Sequence, residues 1–163
     1  LIFWASPRRC GFNAADTRGE ALKTILLCIV LFVTVAPASS AEVAVIANPS
    51  VPVSQVDKTM LFDLYSGDVK EWDNGDPIIL VDLKPKSDVK SAFYDFLGKS
   101  ASRMKSIWMK NLLTGEGKPP ESMESQAAIL ELVASTPGAI GYVDQRLVTE
   151  QVITLTVIPF GDD

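Results

Sequence analysis

The chain has 163 residues, 47% of them hydrophobic, and a formal net charge of −5, enough for one domain with its own core. It contains no histidine, which excludes a Ser-His-Asp triad, and its two cysteines, Cys10 and Cys28, lie near the start. An acidic chain does not hold nucleic acid or anionic lipid through bulk electrostatics, so any anion it binds is captured locally.

The first forty residues read differently from the rest. From Leu22 the sequence "LKTILLCIVLFVTVAPASSA" offers one lysine, an apolar run from Ile25 to Ala36, and small residues ending at Ala41. This is the three-part pattern of a secretory signal peptide over 22–41, with cleavage after Ala41 or Ala38. The alternative is a membrane anchor, but the apolar run is well short of the ~20 residues that span a bilayer. The chain opens at Leu1 and has no methionine before Met60. Residues 1–21 are therefore expected to be upstream sequence translated in error, with Leu22 as the true start. On that expectation the mature chain begins near Glu42 and contains neither cysteine. It keeps 11 basic and 18 acidic residues, a net charge of −7. Cysteine nucleophiles and zinc held by His and Cys are then excluded too, leaving carboxylates, lysines and hydroxyls for chemistry.

Residues 42–163 alternate strand and helix signals. "EVAVIANP" is nearly continuous apolar sequence ended by Asn48-Pro49, the mark of a strand buried on both faces. Ser54 then reads as an N-cap, Val56, Met60, Leu61 and Leu64 recur at helical spacing, and Gly67 ends that helix. A turn at Asn74-Gly75 leads to a second strand, Ile78 to Leu83. Ser87 opens a helix with Val89, Phe93, Phe96 and Leu97 on one face, closed by Gly98. "SASRMKSIWMKNLLTG" is a further amphipathic helix, expected to turn Met104, Ile107, Trp108, Leu112 and Leu113 inward. Pro119-Pro120 enforces a loop. "ESQAAILELVASTPG" is another long helix, "AIGYVD" a short buried strand and "VITLTVI" an alternating final strand. The order predicts a single α/β layered domain over 42–163.

One junction concentrates charge. In "DLKPKSDVKSAFYDFLG" a strand runs directly into a helix, and such a helix start presents unpaired N–H groups and a partial positive charge to an oxyanion. Open α/β sheets bind ligands at that edge. Ser87 adds a hydroxyl, and Lys84, Lys86 and Lys90 add three ammonium groups nearby. The competing reading is plain helix capping. Serine is a preferred N-cap without any ligand, and Asp88 in the first turn complements the helix dipole itself and repels a second anion. Other stretches are less specific. "GDVKEWDNGD" lacks the spacing of a calcium loop, "TGEGKPP" lacks that of a phosphate-binding P-loop, and Trp72 and Trp108 read as packing residues. No pair of carboxylates is singled out by spacing for a hydrolase.

Two signatures point to a family. Leu61, Leu64, Tyr65, Gly67, Val69 and Trp72 fill the pattern L-x-x-[IL]-[FY]-x-G-x-[IV]-x-x-W, and "GAIGYV" stands intact at Gly138 to Val143. Together they resemble the periplasmic phosphate-binding proteins of ABC transporters, roughly from Val43 to Ile158. The resemblance implies an α/β chain forming a single three-layer lobe of the type II periplasmic-binding-protein fold, a mixed sheet with flanking helices. Full members of that family have two lobes that close on the ligand, and this chain has length for about one. The family's phosphate contact uses an arginine at a strand end before Ser-Gly-Thr at a helix start. The matching triplet here is Ser87-Asp88-Val89, and Asp82 or Leu83 stands in the place of the arginine. The glycine that allows close approach is thus an acid.

The resemblance implies a periplasmic, non-enzymatic protein without a cofactor, contacting the membrane only through its signal peptide. Its expected ligand is phosphate or another small oxyanion, bound by Ser87, the backbone of Asp88 and Val89, Lys90, Lys84 and Lys86. Expected partners are an ABC permease or a sensor protein, with no nucleic acid. The alternative is a ligand-free interaction or sensory module built on one lobe, pairing with itself as a homodimer or with another chain.

Overall fold

A computed structural model describes residues 42–84 and 86–160. The expected upstream segment and signal peptide lie outside the described residues. Within them run β1 (Glu42–Ala47), α1 (Lys58–Ser66), β2 (Ile79–Leu83), α2 (Asp88–Phe96) and α3 (Ala101–Thr114). They are followed by β3 (Glu121–Met123), α4 (Gln126–Ser135), β4 (Ala139–Asp144), a 3-10 turn (Gln145–Leu147) and β5 (Ile153–Pro159).

The strands form one mixed sheet in the order β3-β2-β4-β1-β5. β2 runs parallel to β3 and β4, while β1 runs antiparallel to β4 and β5. Every residue from Val43 to Ala47 and from Ala139 to Asp144 is buried, as strands covered on both faces must be. Adjacent residues of β4 show what covers each face. A Cβ on Gly141 would come within 2.8 Å of Ile129 in α4, whereas Tyr142 stacks on Phe93 of α2 with ring centroids 4.0 Å apart. Tyr65 of α1 meets the same Phe93 edge-on at 4.8 Å. Helix α4 therefore covers one face and α1 with α2 the other, which makes three layers. Helix α3 packs outside α1, where the Asn111 amide donates to the Ser66 carbonyl at 2.8 Å.

The first glycine of "GAIGYV" has a backbone reason. Gly138 has φ +76°, a Cβ there would lie 2.4 Å from the Pro77 carbonyl oxygen, and its own carbonyl accepts from Trp72 Nε1 at 3.0 Å. The two sequence signatures thus meet in one contact at the start of β4.

Four expectations need correction. The N-cap of α1 is Asp57, whose carboxylate accepts from the Met60 N–H at 2.8 Å, one turn later than Ser54. β2 starts at Ile79, because the Ile78 N–H is taken by the Lys70 carbonyl. The three-residue strand β3 follows Pro120, where a loop alone was expected. Leu112 and Leu113 are 51% and 80% exposed. Helix α3 rests on another helix rather than on the sheet, so only a narrow stripe, Met104 and Trp108, is buried.

Candidate functional site

The carboxyl ends of β2, β3 and β4 share one edge of the sheet, and two helices begin there. Past β2, Ser87 caps α2 by accepting from the Lys90 N–H at 3.2 Å. Past β3, Ser125 caps α4 by accepting from the Ala128 N–H at 3.2 Å. The register Glu42↔Pro159 and Val43↔Asp144 places the start of β1 and the end of β5 on the same edge. The edge therefore combines two helix N-termini with the charged residues that follow the strands, the arrangement by which open sheets present donors to a ligand.

The residues expected at the junction divide into two groups. Ser87 is half-buried at the cap, Asp88 is exposed in the first turn, and the Val89 side chain is buried in the core. The backbone N–H groups of Asp88 and Val89 have no hydrogen-bond partner among the described residues. Lys86 is exposed and has no ion pair among them. These groups lie together at the start of α2. The other two lysines are drawn away. Lys90 Nζ donates to Asp82 Oδ2 at 2.8 Å and to the Leu83 carbonyl, and it sits 5.7 Å from the centre of the Tyr94 ring. Lys84 Nζ pairs with Glu124 Oε1 at 2.6 Å. The hydrogen bond from Lys84 to Glu124, followed by that carboxylate's charge, raises the lysine's pKa.

Asp82, which sequence reading noted only as standing with Leu83 in the place of the family's arginine, is the hub. Besides Lys90, its carboxylate accepts from the Leu83 N–H at 2.9 Å and from the Tyr142 hydroxyl. The Lys90–Asp82 pair is largely buried, with side-chain exposures of 16% and 14%. Around it lie Tyr65, Tyr94 and Tyr142, the only tyrosines of the chain. Burial first, and the Asp82 charge second, push all three phenols well above their ordinary pKa. The cluster holds phenols kept neutral by burial around a carboxylate that accepts from Lys90, Leu83 and Tyr142.

A second charged pair lies on the same edge. The Asp144 carboxylate takes two hydrogen bonds from the Arg146 guanidinium, which hold its pKa below the usual range, and its backbone N–H donates to Gln126 Oε1 at 2.6 Å. Ser125, Gln126 and Arg146 were not singled out by sequence reading. The visible signal was a serine directly before the apolar-periodic run of α4. Among the described residues no cluster of three potential metal ligands forms.

No family model matches the sequence, and no curated protein matches it. Solved structures do match. A protein from Clostridium perfringens, assigned as a phosphate ABC transporter substrate-binding protein and containing bound phosphate, aligns with TM-score 0.60 and 21% identity. That alignment covers 71% of this chain and 44% of the other. An ABC-type phosphate transport receptor from Vibrio cholerae aligns with TM-score 0.58 and 14% identity, over 76% of this chain and 58% of the receptor. PstS from Borrelia burgdorferi gives TM-score 0.52 at 14% identity, over 70% and 47%. The chain spans about half the length of these structures, and over that half it has their α/β fold.

Proposed function

We propose that this protein is an extracytoplasmic substrate-binding domain that holds a small oxyanion, phosphate or an analogue of it, at the start of α2. Export by the segment 22–41 into the periplasm, and delivery of the anion to an ABC permease, belong to the same proposal. The observation that carries it is the β2–α2 junction. The Ser87 hydroxyl, the Asp88 and Val89 N–H groups and Lys86 stand together there, in a fold shared with a structure that contains bound phosphate. Ser87, Asp88 and Val89 supply the hydroxyl and backbone contacts, and Lys86 supplies a point charge. Lys90 and Lys84 join only by leaving Asp82 and Glu124, and Asp88 repels the incoming charge. Binding is therefore expected to be weaker than micromolar. Titration calorimetry with phosphate and sulfate tests this. Saturable heat that disappears in Ser87→Ala/Lys86→Ala is the expected result; no heat at about 10 mM anion, with an unchanged melting temperature, rejects it.

A second reading rests on the same ion pairs. With two of its three lysines already matched to carboxylates, the edge also suits a protein surface, and the chain spans half of its structural neighbours. On this reading the domain is a sensory or interaction module whose edge meets a second copy or a sensor protein. A dimer on gel filtration that ignores phosphate favours it.

A further inference from the structure

The other end of β2 borders a cavity of about 490 Å³ that the anion edge does not use. Its origin is a defect in the sheet. β3 pairs with β2 only from Val81↔Glu121 onward, because Pro119-Pro120 lack the N–H groups a longer strand needs. Among the described residues Ile79 and Leu80 consequently have no neighbouring strand on that side, and they are only half-buried. The cavity fills this gap between them, the proline loop and Trp108.

We propose that this cavity binds an organic anion with an apolar body, such as a medium-chain carboxylate. Two features favour that class, the apolar walls and a pair of lysines. The walls are mainly aliphatic and aromatic, and the volume is that of ordinary ligand pockets. Lys70 and Lys118 line the cavity too, and neither has an ion pair or side-chain hydrogen bond among the described residues. Against them stands one lining carboxylate among the described residues, Glu121, so that lining is locally positive in an acidic protein. The apolar body of the ligand covers Ile79 and Leu80, and its charged head meets the two ammonium groups.

Octanoate, octanol and inorganic phosphate, each titrated into the full chain by calorimetry, separate the contributions. Octanoate is expected to bind saturably below the millimolar range, octanol about tenfold more weakly, and phosphate not to compete with octanoate. Lys70→Glu/Lys118→Glu changes two exposed side chains, so an unchanged melting temperature verifies its fold, and it is expected to weaken octanoate about tenfold. Octanoate binding that persists in Ser87→Ala/Lys86→Ala separates this site from the anion edge. No saturable octanoate binding, or octanoate and octanol binding equally and unaffected by the charge reversal, overturns the proposal.

Discussion

Tyr65, Tyr94 and Tyr142 surround one buried carboxylate, and their chemistry gives the fold an alkaline limit. Each phenol is harder to ionise in the folded chain than in water, because burial and Asp82 both oppose a phenolate. The stability this gives is complete below the unfolded phenol pKa of about 10, and it falls as pH rises beyond it. Ultraviolet absorbance of phenolate should therefore appear in one cooperative step together with unfolding, not as a gradual titration of the native protein. Asp144 behaves with the opposite sign. Arg146 lowers its folded pKa, so its contribution is present above the ordinary carboxylate range and is lost as pH falls through the lowered value. Arg146→Gln should move the acid-unfolding midpoint to higher pH, by a small amount because the guanidinium is exposed. Lys90→Met strands Asp82 in a largely buried position and is expected to cost about 3 kcal/mol in urea unfolding. At Gly138 a methyl group must collide with the Pro77 carbonyl, so Gly138→Ala is expected to cost a similar amount, about 3 kcal/mol.

Among the elements, α3 separates packing from patterning. Met104 is 1% exposed and Leu113 is 80% exposed, although both are large apolar residues of one helix. Met104→Ala should cost about 2–5 kcal/mol, while Leu113→Lys should change stability by less than about 0.5 kcal/mol. Denaturant midpoints of the two variants check both values. Reading Leu112 and Leu113 as inward followed from spacing alone. Spacing reports which face is apolar, not how much of that face the neighbouring helix covers. β1 and β4 were readable because strands buried on both faces need unbroken apolar runs, and α2 because Ser87 and Gly98 bracket its amphipathic stretch. β3 was not readable, since three residues with a glutamate and a serine carry no period. The candidate site was legible as far as local chemistry goes: Ser87 does cap α2 after a strand. The partners of Lys90 and Lys84 were not, because Glu124 is distant in sequence and Asp82 becomes a partner only once β2 and α2 pack together.

For the molecule as a whole, sheet order and helix placement bring the carboxyl ends of three strands, two helix starts and both ends of the described chain to one edge. The fold is that of solved phosphate receptors, over about half their length. Among the described residues no helix is long and apolar enough to cross a membrane. The central claim is that an oxyanion docks on the Asp88 and Val89 N–H groups at the start of α2. Backbone amide resonances of the labelled protein, followed by NMR during a phosphate titration, report on those groups individually. The account predicts saturable shifts of the Asp88 and Val89 amides, larger than any at the amino end of β2 and absent in Ser87→Ala/Lys86→Ala. Unmoved Asp88 and Val89 amides at saturating phosphate, or shifts centred elsewhere, would contradict it.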